Sequence, residues 1–302
     1  MKLSNTTAFG LVAAVVTVLI WAGFMLVTRF AVQSNFTVEE ILVLRFLPAF
    51  LVVSPFMFKI GILPRGQSWL QSLILMFGAS AISPYLISSG LAHAPASDGG
   101  ALAPGMLPFW TALAAYFIIG EKPGLSRMIG LAVILIGAIL VGLLQVLTAV
   151  GDDVWKGHLL FLGGSGVWAV HSVIFKQSGI SPIHVLVIGI FWGTLFTTPL
   201  LFLTGNVSFQ LVEIDDLLIM MVLQSFVMGI LAMLLFTYAV RALGAAQTAA
   251  FGALIPILAL LGGVVFLGEE VTALKLVGVA LVAFGVFLAS GMISKFRSMP
   301  SA

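Results

Sequence analysis

The sequence predicts an all-α integral membrane protein: ten transmembrane helices arranged as two inverted-topology five-helix repeats. Three observations predict it. The 302 residues are 61% hydrophobic and only 8% charged, where soluble proteins carry about 25% charged residues. Ten apolar stretches occupy most of the chain, each near the ~20 residues that cross the hydrocarbon layer. The chain also repeats itself: residues 97–142 align with 245–290 without a gap, at an offset of 148. Backbone groups in lipid must be paired internally, so the spans are helices or a closed barrel. The alternation of a barrel is absent.

Taken in order, α1 (8–29) carries Trp21-Ala22 and then Arg29. Lys2 ahead of it resembles a signal peptide, but α1 is long enough to span. Its pattern also recurs at offset 147 as Trp168-Ala169 and Lys176, inside the chain. α2 (39–58) contains Arg45. α3 (69–92) places Tyr85 after Pro84, near Ser83, Ser88 and Ser89. α4 (98–119) opens on Asp98 and contains Met106, Pro108 and Trp110. α5 (125–146) carries Gly130 and Gly137. α6 (157–176) holds Gly163-Gly164-Ser165-Gly166, then Trp168 and His171. α7 spans 182–203, and α8 (215–239) contains Gln224. α9 (246–267) includes Phe251 and Pro256, and α10 (271–293) has Gly278 and Gly285. The longest connections, near 147–156 and 204–214, are too short to fold alone. The two repeats are 1–148 and 149–302.

With the N-terminus in the cytoplasm, nine basic residues fall inside: Lys2, Lys59, Arg65, Lys122, Arg127, Lys176, Arg241, Lys295 and Arg297. Four fall outside: Arg29, Arg45, Lys156 and Lys275. That asymmetry follows the positive-inside rule, so both termini are expected in the cytoplasm. Each half has an odd number of helices, so the second half enters from the opposite side. Glu121 then closes α4 inside, and its mate Glu269 closes α9 outside. Such a duplication offers two near-equivalent packings and is the mark of alternating access around a central site.

Interrupted helices in corresponding positions point to that site. Pro108 and Pro256 are mates, and an interior proline removes a hydrogen bond and kinks a helix. Gly163 and Gly164 weaken α6 and suit either a hinge or a close crossing. These four are the expected kink or gating residues. Trp21, Tyr85, Met106, Trp110, Trp168, His171, Gln224 and Phe251 are the expected cavity lining. Asp98, an acid at a membrane helix entrance, is either a coupling group or an N-cap; its mate is Ala246. Arg29 and Lys176 at helix ends can snorkel. The glycines of α5 and α10, spaced by seven residues, make a seam for packing within the chain or between protomers.

At these residues the chain resembles the drug/metabolite transporter superfamily, and within it the ten-helix EamA-like transporters of bacterial inner membranes. The resemblance lies in Ala101 through Pro108 with Gly120-Glu121, Gly130 and Gly137, and in Ala249 through Pro256 with Gly268-Glu269, Gly278 and Gly285. It implies secondary transport of small metabolites, mostly export, through a cavity lined by α1, α3, α4, α6, α8 and α9. An exporter of apolar or aromatic amino acids or related metabolites is expected. The alternative is a broad drug or organic-cation exporter, which the near-absence of acids in the spans disfavours.

Other classes are excluded on the residues. The chain has no cysteine and four histidines without metal-type spacing, so no metal or cofactor is expected. No nucleophile–base pair sits on one helix face, so an intramembrane enzyme is not expected. The net charge of +2 comes with no basic patch for nucleic acid. The expected partners are a small-molecule substrate and the bilayer; a monomer and a homodimer both fit.

Overall fold

The computed structural model describes residues 5–148 and 153–291. Lys2, Lys295 and Arg297 of the charge count lie outside them, as do residue 149 at the repeat boundary and the end of the span expected to reach 293. Among the described residues the chain is helical with no strand. Nine helices among the described residues are long and apolar enough to cross a membrane, and a tenth, Ala273–Ala289, is shorter.

Observed bounds are α1 Asn5–Gln33, α2 Val38–Ile60, α3 Trp69–His93, α4 Ala96–Ile119 and α5 Leu125–Thr148. The second half holds α6 Val154–Ser178, α7 Pro182–Leu203, α8 Ile214–Leu243, α9 over 245–267, and α10 Ala273–Ala289. Four helix starts are capped by side chains: Thr37, Ser68, Ser181 and Thr272 each accept a backbone N–H with a side-chain oxygen. Two ends explain the repeated Gly-Glu. Gly120 and Gly268 adopt φ of 70° and 64°, which L side chains resist. The next N–H, of Glu121 or Glu269, then bonds back to Ala115 or Gly263.

The interruptions in α4 and α9 differ from expectation. α4 breaks at residues 103–106 into α4a (Ala96–Leu102) and α4b (Leu107–Ile119). α9 breaks at Ala253 into α9a (Ala245–Gly252) and α9b (Leu254–Leu267). Pro108 and Pro256 therefore sit in the first turns of α4b and α9b, not at interior kinks. A first-turn proline lacks an N–H that would be unpaired anyway. The half-helices are set by the breaks just upstream.

A second duplicated irregularity has no signature in the prolines. α3 is π-helical over Ile74–Ile82 and α8 over Val222–Leu231. The starts are 148 residues apart, so the widened turns are mates. Wide turns of this kind cluster at functional positions.

The glycine seam lies inside the chain. α5 packs on α10, and a Cβ on Gly137 would stand 2.6 Å from the Gly278 carbonyl oxygen. One on Gly285 would stand 2.8 Å from the Gly130 oxygen. The four glycines are consumed joining the two halves, which removes them as a protomer contact. We call the end where α1 begins the terminal face and the other end the distal face.

Candidate functional site

At the distal face the two halves meet in a buried network of charge. α4a packs against α9b, and α1 against the distal part of α3. The Glu269 carboxylate, at the end of α9b, accepts the N–H groups of Ala96 (2.6 Å) and Ser97 (3.1 Å) and the Ser97 hydroxyl (2.7 Å). It supplies partners for the open N–H groups of α4a. Asp98 is thus not the N-cap of α4. It lies one turn inside, fully buried, 2.8 Å from Lys275 Nζ and 2.9 Å from His158 Nε2. Lys275 also reaches the Ser97 hydroxyl at 3.4 Å. Arg29 does not snorkel; it donates to the Leu91 carbonyl at 2.6 Å and ties α1 to the end of α3.

The terminal face carries the mates of this network in another arrangement. Glu121, Arg127 and Lys176 correspond to Glu269, Lys275 and Arg29. Glu121 pairs with Arg127 at 3.1 Å and Lys176 at 3.5 Å, at a solvent-exposed corner. Lys176, with Arg127 assisting, holds the Glu121 carboxyl below its ordinary range. Here the α4a–α9b packing has no counterpart: among the described residues α9a does not pack on α4b. Within the second half, α6 does not pack on the terminal part of α8 as α1 does on the distal part of α3, although α1 does pack on the terminal part of α8 as α6 does on the distal part of α3. The half-helices of α4 and α9 thus meet at the distal face and not at the terminal one.

Between the middle of the bundle and the terminal face lies a small cavity of about 90 Å³. Its walls include Trp21 of α1, Arg45 of α2, Ser80 in the π-helical turn of α3, Trp168 and His171 of α6, Gly189 of α7, and Met228, Gly229 and Met233 of α8. His171 bonds through Nδ1 to the Ile74 carbonyl at 3.1 Å, at the start of the α3 π stretch. Trp21 leans on Phe236, ring centroids 5.2 Å apart. A larger crevice of about 1020 Å³ runs between α3, α4b, α6 and α7. Its lining is almost wholly apolar, so it offers little to hold a polar solute.

Two repeats of one family model fit this chain, over residues 8–143 and 155–291: the EamA-like transporter family. The chain belongs to the EamA-like transporter family. The matched segments take in nearly all ten helices. The family is one of membrane transporters within the drug/metabolite type, not of enzymes. A solved structure titled "Crystal structure of protein" has the same fold, with a TM-score of 0.61 at 19% identity, covering 96% of this chain and 100% of its own. No curated protein matches the chain.

Within this EamA-like fold the expected lining residues separate. Trp21, Trp168 and His171 come together at the cavity. Gln224 is fully buried behind it, joining Thr28 and Arg45. Trp110 and Gly163 face the apolar crevice. Met106, in the break of α4, is packed in the core, and Phe251 packs between α1 and α8. Tyr85 lies on the outer surface of α3, 39% exposed. Gly164 makes a close crossing and not an open hinge: a Cβ there would meet Ile87 at 2.7 Å, and Ser83 donates to its carbonyl.

The small cavity takes its walls from α1, α2, α3, α6, α7 and α8, while α4b lines the larger crevice. Among the described residues no cluster of histidine and acidic side chains could hold a metal. Sequence reasoning missed Arg45 as a wall of the cavity and His158 and Lys275 as partners of Asp98. For Lys275 the signal was present: it is the mate of Arg127 at the shared offset.

Proposed function

We propose that this protein is a secondary transporter that exports apolar or aromatic amino acids, or related small metabolites, by alternating access. The observation that carries the reading is the asymmetry of the duplicated ends. One set of mates closes over a helix start, while the other pairs at the surface with its helices apart. In an inverted repeat, exchanging the two arrangements moves the opening from one face to the other. With the termini in the cytoplasm of a bacterial inner membrane, and the repeat boundary between 148 and 149, the arrangement here faces inward.

The aromatic walls support a substrate with an apolar body, because Trp21 and Trp168 offer stacking and dispersion. A cavity of about 90 Å³ is far below the ~300–1,000 Å³ of drug-sized sites. The walls must part to admit a substrate, and the π-helical turns of α3 and α8 are where they can. Asp98 is the coupling group of this reading. A proton reaches it only when the distal closure opens, because Lys275, His158 and α9b cover it.

The test is counterflow with purified protein in liposomes, loaded in turn with amino acids, polyamines and quaternary ammonium compounds. Accumulation of labelled aromatic or aliphatic amino acids is expected. A pH gradient should drive uptake, and Asp98→Asn should abolish that drive. Accumulation of organic cations alone would move the protein to the drug-efflux alternative.

A further inference from the structure

Arg45 sits well inside α2, two turns from its capped start at Thr37. A guanidinium there has left water for the span, and such a charge is normally paired or functional. It has five N–H donors and nothing to accept with. Its one side-chain bond is a long 3.4 Å to Gln224 Oε1, and Gln224 is itself held by Thr28. Its other neighbour is the Phe24 ring, 4.8 Å away. Among the described residues no carboxylate lies within 4.0 Å of it. Yet it is only half-buried, and what it faces is the cavity.

Its counterpart in the other half carries no side chain, and Ser80 packs against that position. Counted from the matching caps Thr37 and Ser181, Arg45 falls on Gly189 of α7. Gly189 lines the same cavity. The duplication thus sets a cation on one wall and an absent side chain on the other. No acidic residue lines the cavity, while Trp21, Trp168, Met228 and Met233 supply an apolar remainder.

We propose that Arg45 anchors a carboxylate of the transported molecule, so that the cavity selects amphiphiles with a carboxylate on an apolar or aromatic body. A planar guanidinium matches a carboxylate with two parallel bonds, which a lysine cannot do. An organic cation would instead meet an uncompensated positive charge with no acid to offset it. The proposal rests on the transporter reading and narrows its substrate.

The experiment uses three probes that share one ring and chain length and differ in charge: 3-phenylpropionate, L-phenylalanine and 2-phenylethylamine. Equilibrium binding of each, radiolabelled, is measured on the full-length protein in lipid nanodiscs. The first two are expected to bind, and the amine at least tenfold more weakly than 3-phenylpropionate. Arg45→Gln should weaken the two carboxylates tenfold or more and leave the amine no weaker. Arg45→Lys, which keeps the charge and guards against a folding defect, should lose part of that.

Binding of the amine as tight as that of 3-phenylpropionate overturns the proposal, as does binding of none of the probes. Unchanged carboxylate affinity in both Arg45 variants does the same. Trp168→Ala separates the two readings. If it weakens all three probes while Arg45→Gln changes nothing, the cavity stands and the anchor falls. If neither variant changes binding, both fall.

Discussion

Glu269 and Lys275 show how one residue pattern is used in two ways. Their mates Glu121 and Arg127 pair with each other at the surface, six residues apart. At the distal face that pair is split: Glu269 goes to the start of α4a and Lys275 to Asp98. Asp98 is what draws Lys275 away, and breaking a buried ion pair by removing one partner costs about 3–5 kcal/mol. Asp98→Asn should therefore destabilise the protein by about that much, measured by thermal unfolding in nanodiscs. Adding Lys275→Met removes the stranded cation and should recover a good part of the loss. Simple addition of the two single losses would mean that the residues are not coupled. Asp98 was legible in the sequence as an acid at a membrane helix entrance. Its partners were not, because they lie 60 and 177 positions away on other helices. Arg45 was visible only as a charge near the outer end of an apolar run; that it faces a cavity depends on how α2 packs.

At the scale of elements, the spans were readable because hydrophobic length is a local property. The breaks in α4 and α9 were readable in position, but the prolines were assigned the wrong part. They open the second half-helices instead of bending a continuous one. The paired π-helical turns had no comparable signal, since an extra residue per turn leaves the composition unchanged. The glycines of α5 and α10 were legible as a seam, and the fold decides what they touch. A side chain on Gly137 would drive α5 away from α10, because the Gly278 oxygen and the Val282 backbone already fill that space. Gly137→Val should cost about 1–3 kcal/mol or more through overpacking. The check is the unfolding temperature, with Gly120→Val, whose side chain meets nothing, separating backbone strain from packing.

Over the whole molecule, the inverted repeat makes two states possible, and departures from exact repetition choose between them. Asp98 and His158 reinforce the distal closure, whereas their sequence mates at the terminal face are Ala246 and Leu11. Gly263 leaves space for the Glu269 carboxylate to fold back; its mate is Ala115, which carries a Cβ. The distal face is thus built to close more firmly than the terminal face. The inversion itself was legible, since odd-numbered halves with matching motifs must be inverted. Which face is closed was not, because it depends on a few side-chain contacts between halves.

The most direct test measures both faces at once. The chain has no cysteine, so spin labels can be placed at will. His93 and Glu270 are exposed at the distal face, and their mates Arg241 and Lys122 are exposed at the terminal face. Pulsed electron spin resonance would give the His93–Glu270 and Arg241–Lys122 distances in nanodiscs, in the otherwise natural chain and with Glu269→Gln. A short distal and a long terminal distance are expected in the natural chain. With Glu269→Gln a reciprocal shift is expected: the distal distance lengthens as the terminal one shortens. Distances that stay fixed, or that lengthen together, would contradict alternating access.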